Sequence, residues 1–245
     1  CAVCASDLRV GFGARSTHGA RAEPGWLRET RRDGIDRFAA LGFPTPRNED
    51  WHFTSVAPIA EGKFTPLRGA TGQIAREALV PFTFAQNEWP VMVFVNGKYD
   101  ASLSTPASLS KGIRAIDLST ALRVEPTLVE PWLGKLSPSE DRSFSALNAA
   151  FMSDGAVVHI APDTDAPIPL HLIFVSDANA AKGVAHLRNL IVAGHNSKAT
   201  VIESYGSLGD SSDYTNAVTE VKGDAGATAT TTQNQRARQR AVQRH

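Results

Sequence analysis

The chain has 245 residues, 42% of them apolar and 20% charged, with 25 basic residues against 25 acidic ones. That length suits one large domain or two small ones with a buried core, and the balance excludes a globally basic nucleic-acid binder and an acidic disordered chain. No apolar run reaches the roughly 18–20 residues of a membrane helix, and no signal-peptide pattern opens the chain, so a cytoplasmic globular protein is expected.

Residues 1–23 show no helical or strand periodicity. The two cysteines, Cys1 and Cys4, both lie there. A working C-x-x-C needs a strand before it and a helix after it, and zinc needs a second pair of ligands. The segment is read as a non-native or disordered leader. An N-terminal helical region is expected over 24–75. Leu27, Ile35, Phe38 and Leu41 follow helical spacing from Trp26 to Leu41, with Gly34 weakening the middle and Gly42 capping the end. Pro44 and Pro46 force an extended entry. Asn48 is placed to cap a short turn at Glu49 and Asp50, with Trp51 and Phe53 anchoring that turn on the preceding helix.

A mixed connecting region follows over 76–165. Val91–Val95 reads as a buried strand, Asn96-Gly97 as a tight turn and Lys98–Asp100 as the return. Gly112–Leu118 is extended, with Asp117 or Ser119 opening a helix. Phe144–Met152 is helical, and Ala156–Ile160 is a strand. From 166 to 229 only short strands recur: Leu170–Val175, Leu187–Ala193, Ala199–Tyr205, Ala217–Val221 and Ala227 onward. Gly194 through Ala199-Thr200 parallels Gly223 through Ala227-Thr228, a weak internal repeat. Short strands with regular turns fit a sandwich, barrel or solenoid, and the repeat favours the solenoid. Residues 230–245 carry Arg236, Arg238, Arg240 and Arg244 and no acid. They read as an aberrant arginine-rich tail, consistent with a shifted reading frame.

Catalytic signals are weak. His159, His171, His186 and His195 lack the spacing of a metal site and read as surface or turn histidines. Glu203, Asp210, Asp213 and Glu220 could serve glycoside chemistry, yet they flank glycine and serine as turn acids do. Phosphate-loop, dinucleotide and nucleophile-elbow motifs do not occur. The expectation is therefore a protein that is not an enzyme and has no catalytic residues, no cofactor or metal of its own, and no small-molecule substrate.

One segment is specific. Gly42, Pro44, Thr45, Glu49, Trp51, Phe53 and Thr54 fall in a Leu-Gly-Φ-Pro…Glu-x-Trp-x-(Tyr/Phe)-Thr pattern that resembles the SufB/SufD family of iron–sulfur cluster assembly proteins, its SufD branch most closely. His52 stands where that pattern is usually basic. Further matches follow in family order: Asn96-Gly97 after Val93-Phe94-Val95, Asn148 after Phe144 and Leu147, Arg188-Asn189, Glu203 and Asn216. The resemblance implies a mainly β fold, with an N-terminal helical/mixed region leading into the first coils of a right-handed parallel β-helix, truncated here. It also implies a non-catalytic subunit of the SufBCD scaffold complex. Its partners would be a SufB-like subunit and a SufC-like ATPase, with no nucleic acid and no membrane. Cluster and ATP would be handled by the full complex, ATP on SufC. The motif residues Gly42, Pro44, Glu49, Trp51, Thr54, Asn96, Gly97, Asn148, Arg188, Asn189, Glu203 and Asn216 would be structural. A β-solenoid carbohydrate-active enzyme and a β-solenoid adhesion or structural module are the alternatives, and neither accounts for Glu49-x-Trp51.

Overall fold

The computed structural model describes residues 23–67, 69, 74–84, 88–105, 109–137, 142–177, 180, 182–209, 212–236 and 242–244. The expected leader, apart from Glu23, lies outside this set, as do Asp210 and tail residues 237–241 and 245. The first helix forms as Gly25–Leu41 (α1), burying Leu27, Gly34, Ile35 and Phe38. A short 3-10 turn, Glu49–Trp51, and helix α2 (Ala57–Glu61) follow. Strand β1 (Thr65–Pro66) and a second 3-10 segment, Arg76–Phe82, carried no periodic signal in the sequence.

The hairpin β2 (Val91–Val95) and β3 (Lys98–Asp100) turns at Asn96 and Gly97, whose φ angles are 50° and 74°. Two consecutive left-handed residues make the turn whose twist matches paired strands. Strand β4 (Ile113–Asp117) leads into α3 (Leu118–Val124), capped by Asp117 accepting from Thr120 N–H at 2.8 Å. Helices α4 (Pro126–Val129) and α5 (Ser143–Phe151) precede β5 (Ala156–Ile160) and β6 (Leu170–Ser176). Then come β7 (Gly183–Ala193), β8 (Lys198–Ser207), β9 (Tyr214–Gly223), β10 (Thr228–Arg236) and β11 (Val242–Arg244).

Successive strands from β5 onward pass from one sheet to the other. One sheet runs β11-β9-β7-β5-β4, with β1 also on β7; the other runs β10-β8-β6-β2-β3. Each is mixed: β2–β3 and β4–β5 are antiparallel, whereas β5–β7, β7–β9, β6–β8 and β8–β10 are parallel. The repeat is real but two residues out of register: Ala199 lies beside Ala229, not Ala227.

The expected mainly β chain with the first coils of a right-handed parallel β-helix is therefore corrected. The strands form two mixed sheets, neither closed on itself, and helices cover one of them, giving a mixed α/β architecture. The physical reason lies in burial. Every residue of β6 and of β7 is buried, so both faces of these strands are covered, as in layered α/β folds. Between the sheets lie Met92, Phe94, Val158, Leu172, Phe174, Leu187, Ile191 and Tyr205. Phe94, Phe174 and Tyr205 stack there at 4.9 and 4.8 Å. Outside the first sheet, Val157, Leu190 and Val192 meet Leu27 of α1, Leu118 and Ala121 of α3 and Val129 of α4. Outside the second, Val93, Val95, Ile173 and Val175 meet Leu79 and Phe82.

Helix α1 also crosses α5. A Cβ on Gly34 would fall 2.7 Å from Ala150 N and 2.8 Å from Ala146 O, closer than packed atoms come. The residue read as a weak point of the helix is where two backbones touch.

Candidate functional site

Strand alternation places polar side chains on both faces of β7 and β9. On the outer face Arg188 and Glu220 are buried side by side. Arg188 Nη2 lies 2.9 Å from Glu220 Oε1, and its Nε donates to Oε2 at 3.0 Å. Arg188 Nη1 also donates to Asn148 Oδ1 at 3.2 Å. Asn148, on α5, donates through Nδ2 to Leu187 O at 2.8 Å and Asn216 O at 2.9 Å. The Glu220 carboxylate further accepts from the backbone N–H groups of Gly134, Leu136 and Ser137. Asn216 Nδ2 donates to Phe144 O at 3.0 Å and lies 3.3 Å from His186 Nδ1. A helix, two strands and a loop thus converge on one buried ion pair.

On the inner face Asn189 accepts from Ala156 N–H at 2.9 Å and donates to Thr219 Oγ1 at 3.1 Å. Thr219 donates across to Glu203 Oε1 on the facing sheet at 2.7 Å. Glu203 Oε2 accepts from the Tyr205 hydroxyl at 2.7 Å and from Gln233 Nε2 at 3.2 Å. Burial, and then the Glu203 charge, push the Tyr205 hydroxyl well above its ordinary range, so it remains a neutral donor.

Glu203, Thr219 and Gln233 border a groove of about 1050 Å³. Pro44, Glu49, Trp51, Phe144 and Asn216 line the same groove. Five of the sequence-derived motif residues, Pro44, Glu49, Trp51, Glu203 and Asn216, therefore meet in one place. Asn148 and Arg188, bonded to Asn216 and Glu220, and Asn189, bonded to Thr219, stand behind it. Gly42 only ends α1, its N–H donating to Phe38 O at 2.8 Å, and Thr54 N–H bonds Trp51 O at 3.0 Å. Asn96 and Gly97 belong to the hairpin turn. There the Asn96 amide donates to Gly69 O at 3.1 Å and accepts from Asp177 N–H at 3.0 Å.

Several expectations change. Trp51 is half-buried against Phe144 of α5, centroids 5.1 Å apart. Phe53 anchors nothing: it is 96% exposed. Asn48 makes no side-chain cap for the 3-10 turn; its Oδ1 accepts from Thr45 N–H at 2.9 Å. His171 and His186 are buried within strands, not at turns, whereas His195 lies at a turn beside Asp163. His171 Nε2 lies 2.8 Å from Ser204 Oγ, and Phe84 and Trp89 pack on its ring. Glu203 and Glu220, read as turn acids, are buried in mid-strand. Polar residues recurring among apolar ones at alternate strand positions (Asn189, Glu203, Thr219) were the available signal. Among the described residues no three His, Cys, Asp or Glu side chains are grouped to hold a metal, and no helix is long and apolar enough to cross a membrane.

Comparison with known proteins agrees with this picture. Residues 14–172 match the SufBD protein N-terminal region, and residues 174–245 match the SufBD core domain of the SUF system for FeS cluster assembly. An iron–sulfur cluster assembly SufBD family protein of Synechocystis is 27% identical over 180 residues, covering 73% of this chain and 39% of that protein. A chloroplastic SufBD family protein of Arabidopsis thaliana is 28% identical over 197 residues, 75% of this chain and 35% of its own length. The SufBD family protein ycf24 of Porphyra purpurea is 38% identical over 92 residues, 38% of this chain and 18% of that one. The matched region is thus less than two fifths of each relative's length. With both family regions matched in sequence along almost the whole chain, the chain belongs to the SufBD family of iron–sulfur cluster assembly proteins.

Proposed function

We propose that the chain acts as a SufD-like, non-catalytic subunit of a SufBCD scaffold complex in the cytoplasm, pairing with a SufB-like protein while a SufC-like ATPase supplies ATP hydrolysis. The observation that carries the reading is family membership, both SufBD regions being matched along the chain. The buried polar groups support the same reading. Arg188, Glu220, Asn148 and Asn189 are held in bonds that fix strands, a loop and a helix, leaving no nucleophile–base pair among them.

Co-expression with SufB-like and SufC-like proteins tests this. Joint elution of the three is the expected result, with iron and sulfide tracking the SufB-like subunit. The purified chain alone, reconstituted anaerobically, should retain no stoichiometric iron and sulfide. A stable cluster that survives replacement of Cys1 and Cys4 by Ser, or failure to associate with either partner, would overturn the proposal.

A further inference from the structure

Two buried carboxylates, Glu220 on the outer face of β9 and Glu203 on β8 of the facing sheet, are neutralised differently. Glu220 has its own cation, Arg188, together with three backbone N–H groups. Glu203 is 0% exposed, yet its three donors are the Tyr205 and Thr219 hydroxyls and the Gln233 amide, all neutral. Among the described residues no cation reaches it. A buried carboxylate is ordinarily paired with a cation or a metal. Only Glu203 of the two borders the groove.

The groove is fitted to supply the missing charge. Of its contacts the Gln233 amide is the longest, at 3.2 Å, and Gln233 is exposed on the groove surface. Its side chain can turn aside and let a cation take its place. Trp51 and Phe144 also line the groove, and its charged lining residues, Glu49, Asp50 and Glu203 against Arg142, leave it net negative. Aromatic faces favour a flat delocalised cation, and a guanidinium offers a carboxylate two parallel donors.

We propose that this groove binds a guanidinium group, the arginine side chain of a partner polypeptide, with Glu203 as its counter-ion and Gln233 as the group displaced. The proposal does not rest on the SufD-like assignment; it holds or fails whatever the outcome of the co-elution experiment.

The test uses the full chain and N-acetyl-L-arginine amide, followed by NMR shifts of the Trp51 indole and the Gln233 side-chain amide. Saturable shifts of both are expected. The lysine analogue should give weaker shifts, and the neutral, nearly isosteric citrulline analogue none. Glu203→Gln should abolish the response. Gln233→Ala, which only uncovers the carboxylate, should strengthen it, and it provides the reading if Glu203→Gln fails to fold. No saturable shift in either the parent chain or Gln233→Ala would overturn the proposal, as would an equal response to the citrulline probe.

Discussion

Gly34 of α1 lies against the backbone of Ala150 in α5, so close that no side chain fits between them. An exposed helix gains roughly 1 kcal/mol when Gly becomes Ala. Here the added methyl would meet backbone atoms that cannot turn away. Gly34→Ala is expected to destabilise the fold by about 1–3 kcal/mol through overpacking, measured as a lower midpoint in urea. A raised midpoint would show that the two helices separate without penalty.

The Arg188–Glu220 pair gives a second expectation. Removing one member leaves the other charged and buried. Arg188→Met should therefore cost about 3–5 kcal/mol. Arg188→Met combined with Glu220→Gln should recover part of that loss, and a double-mutant cycle of urea unfolding measures the coupling. Additive losses would mean that the two side chains act separately.

Acid should weaken the protein at His171. Burial pushes this imidazole from its ordinary 6.5 down to about 4. The unfolded chain takes up the proton near 6.5, while the folded chain resists it until about 4. The contribution of His171 to stability is thus constant above that window, falls as pH drops through it, and amounts at most to about 3 kcal/mol. His171→Asn, which keeps a polar group toward Ser204, should flatten the slope of stability against pH between those values. Parallel slopes for variant and parent would remove His171 from the account.

Trp51 and Phe53 should separate clearly. Trp51 is half-buried on Phe144, so Trp51→Ala should lose about 1–2 kcal/mol, less than the 3–5 of a fully buried aromatic. Phe53 is 96% exposed, and Phe53→Ser should change stability within about 0.5 kcal/mol. Equal losses from the two would contradict this packing.

Strands β2, β5 and β6 were legible as short apolar runs bounded by glycine, proline or polar turns, β2 through the Asn96-Gly97 turn most clearly, whereas β1, β11 and the polar end of β10 were not. Partners were not legible. Nothing local in Val157 says that it faces α-helical residues while Val158 faces the other sheet. The same limit hid the site. Glu203 and Glu220 sit among residues that also suit turns, and their burial follows from strands about 16 to 32 positions away. Gly34 looked weak because propensity describes a helix alone, whereas its function is set by α5. The Glu49-x-Trp51 motif was visible by resemblance, but its neighbour Phe144 comes from a distant helix.

The turns joining β7 to β8 and β9 to β10 lie one upon the other. Ala193 pairs with Gly223 on one side and Lys198 with Thr228 on the other, and Asn196 N–H bonds Ala225 O at 3.0 Å between them. Their lengths are therefore locked together. A residue inserted into one turn alone would leave a kink against its neighbour, whereas matched insertions in both could bulge outward in step. Descendants of this sequence should change length here in tandem, and a grafted loop should be tolerated only as a pair.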